Sequence, residues 1–186
     1  MRLLMTILLA AFMFQSQAQV TLNDVTLPAK LSYDNQSLSL NGGGIRTKLI
    51  FKLYTAGLYL QSKSSDGAAI LKADQPMAIR MVITSNKINS NNMSEAIEEG
   101  FSKSTNGNPA PIQSKIDELV KTFSKDPIEV GNIFDLVYVP GEGVKSYKNG
   151  QLKTTIKGLD FKQALFGIWL SDNPVQSGLK NNLLGN

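Results

Sequence analysis

The chain has 186 residues, a formal net charge of +4, and neither cysteine nor histidine. This composition excludes a Ser-His-Asp triad, a zinc site built on histidine or cysteine, and any disulfide bond. The lysines are scattered and do not alternate with aromatic residues, so we expect no nucleic-acid partner. We also expect no metal and no cofactor, which leaves packing alone to hold the chain together.

The N-terminus is basic and then apolar. Arg2 precedes an apolar run at residues 3–14, and small residues follow at Ser16 and Ala18. This order is typical of a secretory signal peptide, and the run is shorter than the roughly 20 apolar residues that a membrane span needs. We predict cleavage after Ala18, so that 1–18 is the signal peptide and 19–186 is one domain. An uncleaved membrane anchor is the alternative.

The first half of the mature region is predicted to be mainly β-structure. Residues 20–31 form an opening strand that is interrupted at Pro28, and residues 38–40 alternate as a second strand. The glycine triplet at residues 42–44 is then predicted to supply positive φ angles for a turn or bulge. Bulky β-formers at residues 45–60 indicate a central strand or hairpin that is covered on both faces.

Helices and further hairpins follow. A short helix at residues 68–73 and a strand at 76–84 precede a helix that opens with a capping-box pattern at Asn92 and Glu95. One face of that helix is predicted to carry Met93, Ile97, Gly100 and Phe101. The later predicted elements are an amphipathic helix at 112–123, strands at 128–139, 144–147 and 151–156, and helices that begin at Asp160 and Asn173. Hairpins followed by helices, twice over, predict an α+β domain with an antiparallel sheet and helices on one face.

Arg46 is the charged residue within the central apolar run. A guanidinium among apolar neighbours suits bidentate binding of a carboxylate or stabilisation of a phenolate or enolate. The alternative is a half-exposed strand arginine that pairs with a glutamate, and the residues alone favour this second interpretation because strand faces commonly carry charges.

Tyr54 is the second candidate, because its phenol could share an oxygen of a bound acid with Arg46. In one regular strand, Arg46 and Tyr54 would have equal parity and lie on the same face, whereas a hairpin between them would remove this argument. Tyr59 has the opposite parity and is interpreted as a packing residue.

Two motifs resemble the chalcone isomerase superfamily, and in particular its secreted bacterial chalcone-isomerase-like branch. The first is Gly-Gly-Gly-Ile-Arg at residues 42–46 with Lys-Leu-Tyr-Thr-Ala-Gly-Leu-Tyr-Leu at 52–60, and the second is Ala-Leu-Phe-Gly-Ile-Trp-Leu-Ser-Asp-Asn-Pro-Val at 164–175. The resemblance implies an open-faced β-sandwich, in which a large antiparallel sheet and a helical layer enclose a ligand cleft.

The resemblance also implies roles for individual positions. The arginine that holds the substrate phenolate in plant chalcone isomerases, or the lipid carboxylate in related fatty-acid-binding proteins, falls on Arg46. The catalytic threonine position falls on Tyr54, where the fatty-acid binders have a tyrosine. The catalytic tyrosine and asparagine positions fall on Met93 and Gly100, so two polar groups are missing. Losing one donor to a developing oxyanion typically costs roughly 3 kcal/mol, so we do not expect true chalcone isomerase activity.

The expected function is therefore non-catalytic binding of a fatty acid or similar small amphipathic carboxylic acid in a cleft between sheet and helices. The expected ligand-binding positions are Arg46, Tyr54, Met93 and Gly100. The alternative is an isomerase of the intramolecular lyase type that acts on an enone-like substrate, with Arg46 stabilising an oxyanion and Tyr54 donating a proton. A third interpretation is a structural or interaction protein with a vestigial cleft, which a cleft filled by the protein's own side chains would favour.

The signal peptide predicts the location of the protein. We expect export to the periplasm, with the extracellular space as the alternative, and no transmembrane segment after signal cleavage.

Overall fold

The computed structural model describes residues 19–33 and 35–186, so the predicted signal peptide lies outside the described residues. A small hairpin of β1 (Val20–Leu22) and β2 (Val25–Leu27) precedes one seven-stranded antiparallel sheet. The sheet contains, in spatial and chain order, β3 (Lys30–Tyr33), β4 (Gln36–Lys48), β5 (Phe51–Leu60), β6 (Met77–Ile83), β7 (Ile133–Val139), β8 (Gly143–Lys148) and β9 (Gln151–Ile156). The helices are α1 (Gly67–Lys72), α2 (Ser90–Ser104), α3 (Gln113–Ser124), α4 (Leu159–Leu170) and α5 (Ser177–Leu183), with a 3₁₀ turn at Ala110–Ile112.

The sheet separates two apolar clusters of unequal size. The main core lies between one face of the sheet and the helices, and alternate residues of β5, including Tyr54, Ala56 and Leu58, belong to it. The opposite face carries a smaller cluster that includes Leu27 of the β1–β2 hairpin and Tyr59 of β5. The predicted α+β class, with helices on one face, is confirmed, and β5 is covered on both faces.

The glycine triplet behaves differently from the prediction. None of Gly42, Gly43 and Gly44 has a positive φ, and β4 runs through all three. Their role is close approach: a Cβ on Gly42 would lie 2.2 Å from the carbonyl oxygen of Asn182 in α5. The β4–β5 register does shift between Leu40 and Gly42, next to the triplet, but no positive φ of these glycines produces that irregularity.

Several predicted boundaries were wrong for local reasons. The opening strand is interrupted at Pro28 as predicted, since β2 ends at Leu27 and β3 begins at Lys30, but it also divides at Asn23 and Asp24, whose positive φ angles form a tight turn. Asn89, not Asn92, caps α2; its side chain accepts from the Asn92 backbone, and the Asn92 side chain accepts from the Asn89 backbone. The strand predicted from residue 128 begins only at Ile133.

The two C-terminal helices also start at other residues than predicted. Gly158, with a φ of 115°, stands at the N-cap of α4 in place of Asp160. The last helix begins at Ser177 rather than at Asn173. Among the described residues, no helix is both long and apolar enough to cross a membrane.

A salt bridge lies on the sheet face opposite the main helices. Arg80 of β6 and Asp135 of β7 are directly paired across the sheet, and their side chains bond at 2.7 Å (Nε to Oδ1) and 3.0 Å (Nη2 to Oδ2). Arg80 also donates to the Tyr33 hydroxyl at 3.3 Å. This arginine is therefore fully engaged in holding the sheet.

Lys162 is a fully buried lysine that joins two helices. Its ammonium group, on α4, donates to the carbonyl oxygens of Ile70, Leu71 and Ala73 at the C-terminus of α1, at 2.8, 2.9 and 2.8 Å. Burial lowers the pKa of Lys162 to about 8, and the charge of Asp74 opposes this shift. The lysine supplies the donors that the last carbonyls of a short helix lack.

Replacing Tyr59 by phenylalanine is expected to stabilise the protein by about 1 kcal/mol at pH 7, because the buried Tyr59 hydroxyl has no hydrogen-bond partner among the described residues. Burial also raises the pKa of Tyr59. The unfolded phenol ionises near pH 10 while the folded one stays neutral, so wild-type stability falls above pH 10. The advantage of the variant should therefore grow by up to about 1.4 kcal/mol for each pH unit above 10.

Urea unfolding at pH 7 and pH 11 measures both effects. Tyr138→Phe is the matched control, because it removes a 2.6 Å bond from the Tyr138 hydroxyl to Asp74 Oδ1 and should destabilise the protein at pH 7. A Tyr59→Phe variant that is less stable than wild type would contradict the prediction.

Candidate ligand-binding site

A cavity of about 330 Å³ lies between the sheet and the main helical layer. Its inner wall is apolar and is built by strands β6 and β7 and helices α2, α3 and α4. The wall residues include Met81, Ile97, Leu119, Phe123, Leu136 and Leu165. The cleft is therefore not filled by the protein's own side chains, so the observation that would have favoured the third interpretation is not made in the described residues.

Arg46 and Tyr54 lie side by side in the cavity wall. The predicted run is a hairpin of β4 and β5 that turns at Leu49 and Ile50, and Arg46 is the direct cross-strand partner of Tyr54. Directly paired residues of an antiparallel ladder point to the same face. The hairpin removes the parity argument, yet the pairing itself brings the two side chains together.

The Arg46 guanidinium forms no salt bridge within residues 19–33 and 35–186. Its Nη1 donates to the carbonyl of Thr47 and, at 3.2 Å, to Oε1 of Gln176. Glu99 also lines the cavity, but it forms its ion pair with Lys103 at 2.9 Å. The bond to Lys103 is the main cause that lowers the pKa of Glu99, and the charge of Arg46 is a smaller one. Arg46 therefore acts on this glutamate without forming an ion pair with it, and its guanidinium can still bind an anion.

Tyr54 presents a neutral phenol to the cavity. Its buried hydroxyl accepts a hydrogen bond from the indole Nε1 of Trp169 at 3.0 Å, which leaves the phenolic proton free for another acceptor. Burial raises the pKa of Tyr54, while the bond from Trp169 and the charge of Arg46 act in the opposite direction. A protonated phenol beside a guanidinium provides two kinds of donor for one carboxylate.

The other two predicted positions have different surroundings. Met93 is buried and lines the cavity, where its thioether offers no donor. Gly100 is not a lining residue; a Cβ there would lie 3.0 Å from Ile168, whose side chain does line the cavity. Gly100 thus lets α4 pack close to α2 and shapes the wall indirectly. The ligand-binding roles of all four positions stay predictions.

Four polar or amphipathic contributors to the site were not predicted from the sequence. Lys48 and Lys87 line the cavity near its opening, and Trp169 orients Tyr54. Gln176 accepts from the Thr47 backbone at 2.9 Å as well as from Arg46, so it holds the end of β4. Lys48 lies between the two parts of the first quoted motif and Trp169 lies in the second, but their positions gave no signal of these contacts.

An antiparallel sheet that encloses an apolar cavity beneath helices, with an arginine and a tyrosine in its wall, defines an α+β protein built to hold a small molecule. The chain belongs to the chalcone isomerase-like family, which matches residues 19–185. The predicted superfamily and its open-faced fold are thereby confirmed.

A solved structure shares this fold. The crystal structure of the Arabidopsis thaliana fatty-acid binding protein AtFAP1 is similar with a TM-score of 0.71 and 16% sequence identity, over 90% of this chain and 96% of that chain. Among curated protein sequences, none matches this chain.

Proposed function

We propose that the protein binds a fatty acid or a similar amphipathic carboxylic acid in the cavity and does not transform it. One observation carries the proposal: the guanidinium of Arg46 has no acidic partner among the described residues and lies beside the neutral phenol of Tyr54 in an apolar cavity wall. A carboxylate would receive charge-assisted hydrogen bonds at this end, while a hydrocarbon chain would bury its surface against the interior.

The dimensions and the structural relative support the same ligand class. A volume of about 330 Å³ lies at the lower end of the roughly 300–1,000 Å³ typical of small-molecule sites. AtFAP1, which shares the fold, is a fatty-acid binding protein. The carboxylate is therefore assigned to Arg46 and Tyr54, and the chain to the wall formed by residues such as Leu119 and Leu165.

An isomerase of the intramolecular lyase type is less supported. Stabilising an enolate requires donors aimed at the developing charge, and the positions that would supply two of them hold Met93, without a donor, and Gly100, outside the cavity. Incubation with enones, followed by their loss of absorbance, tests this alternative. Turnover that disappears in Arg46→Leu would favour the enzyme over the binder.

The setting of this function is also part of the proposal. The N-terminal pattern around Arg2 and Ala18 supports export, and the family motifs support a place in the secreted bacterial branch, with the periplasm as the compartment.

Affinity is expected to rise about fourfold for each methylene added to a straight-chain fatty acid, because each buried methylene contributes about 0.8 kcal/mol. The rise should stop when the cavity of about 330 Å³ is full. Isothermal titration calorimetry with a series of acids of increasing length measures this dependence, and native mass spectrometry of the purified protein shows whether an acid co-purifies.

The methyl ester of the best acid is the control ligand. It keeps the hydrocarbon chain but removes the charge that Arg46 would bind, so it should bind at least tenfold more weakly. Affinities that do not change with chain length, or an ester that binds as well as the acid, would show that the acid does not occupy the cavity as proposed.

A further inference from the structure

The β4–β5 hairpin ends in an exposed apolar tip. Leu49 and Ile50 are 91% and 88% exposed, and Phe51 is 40% exposed. Lys48 and Lys52 flank these three residues and are also exposed. We call residues 48–52 the hairpin tip. An exposed run of three large apolar residues between two lysines is unusual for a surface turn, where polar residues are preferred.

The backbone conformation of the hairpin tip also disfavours a large apolar residue at position 49. Leu49 has a φ of 55°, in the left-handed region that glycine and asparagine tolerate best. The side chain gains no burial in return, since it is almost fully exposed. The apolar residue at this position therefore lowers local stability without a gain in packing, which indicates that its side chain binds something outside the protein.

The hairpin tip also forms one lip of the cavity. Lys48, Leu49 and Phe51 line the cavity, whereas Ile50 and Lys52 are not lining residues. From the loop after β6, Lys87 reaches across with its ammonium 5.4 Å from the centre of the Phe51 ring. Anything that contacts the tip is thus adjacent to the opening through which a ligand would pass.

The charges around this lip are mainly positive. Lys48, Lys52 and Lys87 are exposed, and Arg46 lies just inside the cavity. Glu99 is the acidic residue of the cavity lining, and its ion pair with Lys103 neutralises it. A basic rim around exposed apolar side chains is complementary to an anionic surface that also has an apolar interior.

We propose that the hairpin tip docks onto an anionic lipid bilayer, with Leu49 and Ile50 inserted among the acyl chains and the flanking lysines bound to lipid phosphates. This inference rests on the proposed function only for the identity of the molecule that is exchanged. The contact with the membrane is argued from the hairpin tip alone. Docking would place the cavity opening against the membrane, so that an amphipathic acid could pass between bilayer and cavity without crossing water.

A bilayer fits the tip better than a protein partner does. A stable protein interface buries about 1,600 Å² in total and needs a broad complementary surface, whereas the apolar part of the tip is three side chains. Shallow insertion of a few apolar side chains, assisted by nearby lysines, is sufficient for reversible binding to anionic membranes.

Co-sedimentation of the purified mature protein with vesicles tests the docking. The protein should bind vesicles of phosphatidylcholine mixed with phosphatidylglycerol, and bind pure phosphatidylcholine much more weakly. Ile50→Asn should weaken binding to the mixed vesicles by about tenfold. Lys52→Gln should weaken it by about fivefold, and this loss should shrink as salt is added.

Matched controls are available elsewhere on the surface. Val130 and Leu152 are also exposed apolar residues, on a loop and on β9 away from the cavity, so Val130→Asn and Leu152→Asn should leave vesicle binding unchanged. Thermal unfolding confirms that each variant folds.

Transfer of a fluorescent fatty acid from the protein to mixed vesicles should become faster as the vesicle concentration rises, and it should be slower for Ile50→Asn than for the wild type.

The outcomes separate this inference from the proposed function. Equal vesicle binding by wild type and Ile50→Asn overturns the docking while leaving solution affinity for the acid intact. A concentration-dependent dimer that Ile50→Asn dissolves, without vesicle binding, also overturns it and identifies a second copy as the partner. Tight vesicle binding without any fatty-acid binding would support the docking and refute the proposed function alone.

Discussion

Replacing Arg46 by leucine is expected to weaken fatty-acid binding by about 100-fold and to change the free energy of unfolding by less than about 1 kcal/mol. The guanidinium is the charged donor assigned to the carboxylate, and hydrogen bonds to charged groups contribute about 1.5–3 kcal/mol each. The small effect on stability follows from the structure, because Arg46 is half-buried and its bonds to the Thr47 carbonyl and to Gln176 involve neutral partners.

Calorimetric titration and urea unfolding of the same variant measure the two quantities. Tyr54→Phe should lower the affinity by a smaller factor of about five, since it removes one neutral donor from the carboxylate. If Arg46→Leu binds the acid as tightly as wild type does, the carboxylate is not held at this end of the cavity. A variant that unfolds at much lower urea would instead identify Arg46 as a structural residue.

Replacing Arg80 by methionine is expected to give the opposite result, with a loss of about 3–5 kcal/mol in stability and fatty-acid affinity within twofold of wild type. Asp135, which is 1% exposed, would be left as a buried carboxylate without its bidentate partner. Removing one member of a buried ion pair is far more damaging than removing both, because the remaining charge is desolvated and unpaired. Arg80 lies on the sheet face opposite the cavity, so its replacement should leave the affinity for the fatty acid nearly unchanged.

The double variant Arg80→Met/Asp135→Leu is the control. It should recover most of the lost stability, because apolar side chains can fill the space of the pair on a face that already carries an apolar cluster. Urea unfolding of the single and double variants provides the comparison. A single variant that loses less than about 1 kcal/mol would show that the pair is solvated rather than buried.

The elements that sequence analysis predicted well are those with strong local signals. β9 spans Gln151–Ile156, the range predicted for it, and it follows a tight turn in which Asn149 and Gly150 both have the positive φ angles typical of an Asn-Gly hairpin. The four residues predicted on one face of α2, from Met93 to Phe101, are all buried. Local periodicity and turn preferences depend on neighbouring residues, so they can be predicted directly from the sequence.

The contacts that complete the site are not local. Trp169 reaches Tyr54 across 115 positions of the chain, and Gln176 reaches Arg46 across 130. No spacing rule connects such residues, because the folding of the whole sheet brings them together. The glycine triplet shows the same limit: its positions suggested turn geometry, whereas the structure uses Gly42 to let α5 approach the sheet.

That approach has a consequence for how the chain folds. Asn41 is buried where β4 meets α5, and its side-chain nitrogen donates to the Leu183 carbonyl at 2.8 Å, across 142 positions of sequence. A contact between such distant residues closes a very long loop, and this slows folding. Because the same strand carries Arg46, the wall of the cavity is complete only when α5 has packed against β4. Variants that weaken the packing of α5 should therefore loosen the cavity as well as the sheet edge beside Asn41.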